Sequence, residues 1–134
     1  MILLLGGTSE TAGIADGLAS AGFEVVVSTA TDTALDVGAG PGIHRRCGRF
    51  DADAMERFVR EQAIHAIVDA AHPYAERLRA QARTVADRVS VPYFRYVRPA
   101  SAWDATDETV VCAGDHAAAA ALAFSHGKPV LLTT

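Results

Sequence analysis

Lysine is almost missing from this chain: Lys128 is the only one in 134 residues. With no Gly-Lys-Ser/Thr run there is no Walker A loop to cradle a nucleoside triphosphate. Four residues after Tyr74 stands Leu78, so the Tyr-x-x-x-Lys pair of short-chain dehydrogenases is absent as well. No Gly-x-Ser-x-Gly turn occurs, which leaves the α/β-hydrolase chemistry without its nucleophile elbow. Cysteine is scarce: Cys47 and Cys112 show neither CxxC nor metal-ligand spacing, and a reducing, cytoplasmic compartment is the simpler reading. His44, His65, His116 and His126 also lack ligand spacing, so no metal is expected. There is no surplus of positive charge, the formal net charge being −4, and hence no electrostatic case for nucleic acid or an anionic membrane. The opening Ile2-Leu3-Leu4-Leu5 run has no cationic segment before it and stops at Gly6, too short for a signal peptide or a membrane span.

What is present is an alternation of strand and helix patterns. Half of the residues are hydrophobic, as in a globular domain, and 134 residues suffice for one such domain with its own core. Ile2 to Leu5 reads as a central parallel strand because it is apolar on every residue. A helix is predicted from about Ser9 to Ala21, then a valine-rich strand from Phe23 to Ser28. Asp36 to Gly42, with three glycines and a proline, reads as loop, and Ile43 to Arg46 as a short strand. Asp51 is placed to cap a helix carrying Met55, Phe58 and Val59 on one face. His65 to Asp69 reads as a strand, Pro73 as the first residue of the next helix, and Pro92 to Val97 as a further strand. Thr109 to Cys112 and Val130 to Leu132 are expected as last strands around an alanine-rich helix. The fold class is therefore α/β: a Rossmann-like, doubly wound, mainly parallel sheet with helices on both faces, residues 1–134 forming one domain.

In such a sheet ligands bind beyond the carboxyl ends of the strands. Four post-strand turns carry chemistry there. Gly6-Gly7-Thr8-Ser9-Glu10 allows a tight turn and close backbone approach beside a helix N-terminus, where N–H groups and the dipole favour a diphosphate. It is not the G-x-G-x-x-G fingerprint, since Thr8 and Thr11 occupy the second and third glycine positions, and a capped turn explains it almost as well. At the end of the second strand, Ser28 and Thr29 stand where an NAD-specific domain carries an acid. Small hydroxyl residues leave room for a 2′-phosphate, with Arg45, Arg46 or Arg49 available to pair with it, so NADPH is favoured over NADH. The plain alternative is that Ser28 and Thr29 merely end a strand.

The third turn, Asp69-Ala70-Ala71-His72-Pro73-Tyr74-Ala75, is the densest. Asp69, His72 and Tyr74 are candidates to position a substrate or deliver a proton, His72 being held extended by the proline that follows it. Equally, Asp69 and His72 can serve only the helix start while Tyr74 packs in the core. In the fourth segment, Arg95 and Arg98 lie among Tyr93, Phe94 and Tyr96, with Trp103 beyond, a surface suited to a flat anionic ring or simply a solvated edge strand.

These segments taken together resemble the precorrin-6A reductase family. Leu3 to Glu10 is similar to the family's opening, Asp69 to Ala75 to its Asp-Ala-Thr-His-Pro-Phe/Tyr-Ala signature, and Pro92 to Arg95, Arg98-Pro99 and Trp103 follow in the family's order. The resemblance implies two Rossmann-like domains with the active site between them, and hydride transfer from a reduced nicotinamide to a double bond of a tetrapyrrole-derived macrocycle in cobalamin biosynthesis. It implies that Gly6, Gly7, Thr8 and Ser9 serve the nucleotide, and that Asp69, His72, Pro73 and Tyr74 line the cleft. The substrate's carboxylates make Arg95 and Arg98 plausible anchors. Ala71 departs from the family's threonine, and the stretch from Arg98 to Trp103 carries extra residues. Family members are about twice as long, so this chain is expected to be the N-terminal, nucleotide-binding half, in contact with a second domain. Whether the macrocycle carries cobalt is left open, and a non-catalytic nucleotide-binding module is the alternative.

Overall fold

The structure is a computed structural model that describes residues 1–32, 35–99 and 110–131. Its chain forms two compact units, Met1–Arg98 and Pro99–Thr134. The first holds a sheet of five strands: β1 (Ile2–Leu5), β2 (Val25–Thr29), β3 (Ile43–Cys47), β4 (Ala66–Asp69) and β5 (Tyr93–Arg95). They run in the order β3-β2-β1-β4-β5, and every pairing is parallel. Helix α1 (Thr11–Ser20) joins β1 to β2, α2 (Ala52–Glu61) joins β3 to β4, and α3 (Glu76–Val89) joins β4 to β5.

The strand sequences explain why helices cover both faces. Side chains alternate along a strand, so Leu3 and Leu5 face one way and Leu4 the other. Leu3, Leu5, Val26 and Ile67 pack with Met55 and Val59 of α2 and with Ala82, Val85 and Ala86 of α3. On the opposite face Leu4, Val25 and Val27 pack with Ala15, Ile14 and Leu18 of α1. A strand buried on both faces has no polar position to offer, which is why β1 is apolar throughout. Among its described residues the connection from β2 to β3 has no helix; the carboxylate of Asp16 in α1 accepts from the amides of Ala39 and Gly40 and ties the glycine-rich loop down. Asp51 caps α2 by accepting from the Ala54 amide at 2.7 Å, as its position in the sequence foretells.

Three expectations need correction. Helix α3 begins at Glu76 and not at Pro73: the carbonyls of His72 and Pro73 are taken up by the Ala75 amide and the Arg79 side chain, so the chain turns before the helix starts. Val110–Cys112 and Val130–Leu131 are not in strands. A parallel strand exists only through its ladder, and the apolar pattern of these exposed residues supplies no partner. Thr109, Leu132, Ser101 and Trp103 lie outside the described residues. Between those segments the second unit contains the expected alanine-rich helix, α4 (His116–Ser125), capped by Asp115, whose carboxylate accepts from the Ala118 amide. Among the described residues no helix is long and apolar enough to cross a membrane.

Met55 is fully buried against both α3 and the sheet, so Met55→Ala is expected to lower the unfolding free energy by about 2–5 kcal/mol, and Asp51→Ala by about 1 kcal/mol. Urea unfolding at unchanged slope reads both. Equal losses would contradict the view that α2 is held mainly by its apolar face.

Candidate functional site

Strand order sets where a ligand can enter. From β1 the chain goes to β2 on one side, while β3 returns to β4 on the other, so the crossovers diverge beside the carboxyl ends of β1 and β4. A cleft of about 940 Å3 opens there. Of the residues singled out in the sequence, Gly6, Gly7, Ser28, Thr29, Arg49 and His72 line it. Thr8, Ser9, Asp69, Tyr74, Arg95 and Arg98 do not.

The first turn is built around a residue that the sequence did not advertise. Thr11 is fully buried, and its hydroxyl oxygen accepts from the amides of Gly7 at 3.1 Å and Thr8 at 3.2 Å. A Cβ on Gly6 would lie 2.6 Å from the Thr11 methyl, so only glycine fits at that position. Gly7 has φ +139°, a conformation that side chains resist, and a Cβ there would meet nothing within 4 Å. The Gly7 backbone is thus bare toward the cleft. The Thr8 hydroxyl donates to the Ala70 carbonyl at 3.1 Å, bolting the turn after β1 to the turn after β4. Among the described residues no acceptor meets the N–H groups of Ser9, Ala12 and Gly13 at the start of α1.

At the end of β2, Ser28 and Thr29 are both buried. Arg46 donates to the Ser28 hydroxyl at 3.2 Å and to the Gly48 carbonyl at 2.6 Å, with its guanidinium 3.4 Å above the Phe50 ring. Its desolvation draws its pKa below the ordinary arginine value. The Thr29 hydroxyl donates to the Thr31 carbonyl at 3.0 Å. Arg45 lies 3.6 Å from Asp32. Arg49 is exposed at the cleft wall and has no carboxylate partner among the described residues. Among the described residues the one acid lining the cleft, Asp51, is already engaged as the cap of α2.

Asp69 is 1% exposed and is not among the residues that line the cleft. It stands two residues after Ile67, so strand alternation sends it to the same face, under α3. Its Oδ1 accepts from the Ala71 amide at 3.0 Å and its Oδ2 from the Tyr93 hydroxyl at 2.6 Å, with Arg79 Nε 3.4 Å from Oδ2. Burial, and then the hydrogen bond to this carboxylate, push the Tyr93 phenol well above the usual tyrosine range, so it stays a donor. Arg79 also donates to the carbonyls of Pro73 at 3.2 Å and His72 at 3.4 Å. Arg79 was missed in the sequence because it reads as one of the solvated arginines of α3, and the Tyr93–Asp69 bond because its partners lie 24 residues apart on different strands.

His72 projects at the cleft wall. Its Nδ1 accepts from the Tyr74 amide at 3.4 Å, so the neutral ring carries its proton on Nε2. Tyr74 is 84% exposed, its ring tilted against His72 at 5.1 Å between centroids. It does not pack in the core. Arg95, the last residue of β5, is exposed and stands opposite Asp69, whereas Arg98 donates to Glu10 at 2.8 Å and straps the segment after β5 to the first turn. Among the described residues no group of three His, Cys, Asp or Glu side chains is arranged to hold a metal.

Comparison with known proteins gives a consistent picture. The family model described as precorrin-6x reductase CbiJ/CobK matches residues 1–134. The cobalt-precorrin-6A reductase of Priestia megaterium is 35% identical over 134 residues, covering 100% of this chain and 51% of its own. The precorrin-6A reductase of Mycobacterium tuberculosis (strain ATCC 25618 / H37Rv) is 34% identical over 137 residues, covering 99% and 52%. A solved structure, CobK precorrin-6A reductase, superposes with a TM-score of 0.67 at 28% identity, covering 78% of this chain and 41% of that one. The chain spans about half the length of the curated relatives it matches.

The Arg98 guanidinium, foremost, holds the Glu10 carboxyl at about 2, against an ordinary 4.5. A carboxyl depressed in the folded state adds stability above its unfolded pKa and loses it as pH falls through the folded value. The strap is therefore expected to persist on acidification until about pH 2. Carbon NMR of the Glu10 carboxyl should give that midpoint, and Arg98→Ala should raise it toward the ordinary value. An ordinary midpoint in the unaltered chain would contradict the strap.

Proposed function

The chain belongs to the precorrin-6x reductase family, and on that footing we propose that it is the N-terminal, nucleotide-binding half of a precorrin-6A reductase, taking NADPH and acting on a double bond of the precorrin-6A macrocycle. The observation that carries this reading is the convergence of Gly6, Gly7, Ser28, Thr29, Arg49 and His72 on one cleft at the topological switch point. Its volume of about 940 Å3 is in the range of cofactor pockets, and the bare backbone of Gly7 leaves a diphosphate room to approach.

The residues present fit a reduced nicotinamide dinucleotide. The diphosphate would lie close against the backbone of Gly6 and Gly7 and accept from the open Ser9 amide, with Thr8 fixing the turn, and Ser28 and Thr29 would border the adenosine ribose. The missing acid at the end of β2 and the Arg49 guanidinium, which has no carboxylate partner among the described residues, favour a 2′-phosphate, hence NADPH over NADH. When bound, the nicotinamide supplies the hydride; the protein orients the two flat partners and excludes water. His72, with Nε2–H available, and the exposed Tyr74 are placed to meet the macrocycle and to donate or position a proton. Asp69 acts on them from behind, through the turn. Arg95, and Arg98 shared with Glu10, are placed for the substrate's carboxylates. The rest of the site would come from a second domain, and Cys47 and Cys112, both free and exposed, suit a cytoplasmic setting. A non-catalytic nucleotide-binding module is less well supported, since nucleotide grip does not call for the His72–Tyr74 pair.

Calorimetric titration tests the cofactor reading. NADPH is expected to bind at least about tenfold more tightly than NADH, and Arg49→Ala to remove most of that preference while leaving NADH unaffected. Equal affinities, or a preference untouched by Arg49→Ala, would overturn the assignment. In a protein carrying both halves, His72→Ala and Tyr74→Phe are each expected to lower kcat by about 10²-fold or more, measured as macrocycle-dependent NADPH oxidation. Unchanged turnover would remove either residue from the mechanism.

A further inference from the structure

The buried cluster behind the cleft has an organisation that its packing alone does not require. Arg79 sits in the opening turn of α3, where the helix dipole disfavours a cation. It is nonetheless largely buried, and it turns back from the helix toward the preceding turn. Two of its nitrogens grip the carbonyls of Pro73 and His72, while its Nε lies against Asp69 without a hydrogen bond of its own. Asp69 is held in turn by the Tyr93 hydroxyl and the Ala71 amide.

The consequence for His72 follows from peptide geometry. In a trans peptide the C=O and the N–H point in opposite directions. Fixing the Pro73 carbonyl on Arg79 therefore aims the N–H of the same peptide, that of Tyr74, the other way, and it meets His72 Nδ1. Pro73 has its φ locked by the ring, and His72 is restricted as the residue before a proline. The freedom left in the turn is the rotation of the 73–74 peptide plane, and Arg79 removes it.

We propose that Arg79 and Tyr93 are positioning residues that set the orientation and tautomer of the His72 imidazole at the cleft wall. Arg79 does so by gripping the two turn carbonyls, Tyr93 by fixing the carboxylate against which Arg79 lies. The role of this orientation in nucleotide or macrocycle handling rests on the function proposed above; the brace itself does not.

The test uses the 134-residue chain labelled with 15N at histidine. Long-range proton–nitrogen spectra, recorded above the histidine titration range, should show His72 with an unprotonated Nδ1 and a protonated Nε2. Arg79→Lys keeps a cation beside Asp69 but cannot reach both carbonyls, and Arg79→Met removes the cation. Both are expected to give a mixture of tautomers, and Tyr93→Phe a smaller change in the same direction, at temperatures where circular dichroism shows each variant folded. Calorimetry should show NADPH affinity weakened by about tenfold in Arg79→Lys. A purely structural role predicts the opposite pattern: lower melting temperatures, with the His72 tautomer and NADPH affinity as in the unaltered chain. That result, or a wild-type-like tautomer in Arg79→Lys, would overturn the proposal. If the unaltered chain binds no NADPH, the nucleotide reading fails while the tautomer spectra still decide the brace.

Discussion

Leu5 stands opposite Asp69 in the ladder between β1 and β4, and the rest of the cleft depends on that register. It brings the turns that follow these two strands side by side, close enough for the Thr8 hydroxyl to reach the Ala70 carbonyl. A slip of one residue would turn every β4 side chain to the opposite face, putting Asp69 among the α1 contacts and Ile67 out of its cluster with Met55 and Val85. The double-sided burial of β1 makes such a slip costly, since Leu3, Leu4 and Leu5 are all withdrawn from water. The core and the site are therefore specified by the same strand.

Around that register the polar groups divide into those committed to the fold and those left for a ligand. Thr11, Asp51, Asp69, Arg46 and Arg79 are spent on backbone or side-chain partners inside the protein. Arg49, the His72 ring and the Tyr74 phenol face the cleft or the solvent around it. A buried carboxylate is tolerable only when its oxygens are satisfied, and Asp69 accepts from the Ala71 amide on one oxygen and the Tyr93 hydroxyl on the other, with the Arg79 cation alongside. Holding the turn from behind with a buried polar network while leaving its outer side chains open is the general arrangement of a preorganised site.

Much of this was legible in the sequence where the information is local. The apolar β1, the glycine-rich loop before β3, the Asp51 cap and the helical stripe of Met55, Phe58 and Val59 follow from periodicity and capping. Gly6, Gly7, Ser28, Thr29, Arg49 and His72 were found because ligands gather at strand ends, a rule that needs only the strand boundaries. The non-local parts were not visible. Asp69 reads as a cleft residue from the strand ends alone; what buries it is Tyr93 and Arg79, which come from another strand and from a helix. The segments Val110–Cys112 and Val130–Leu131 have strand-like composition, but a parallel strand is defined by a neighbour that composition does not name.

The central claim is that the switch-point cleft is a nucleotide site, and amide NMR of the 134-residue chain during NADPH addition tests it most directly. The account predicts saturable shifts at Gly6, Gly7, Ser28, Thr29, Arg49 and His72, with Phe23 and Phe94, which lie outside the cleft, unmoved. Shifts confined to other surfaces, or none at millimolar NADPH, would contradict it.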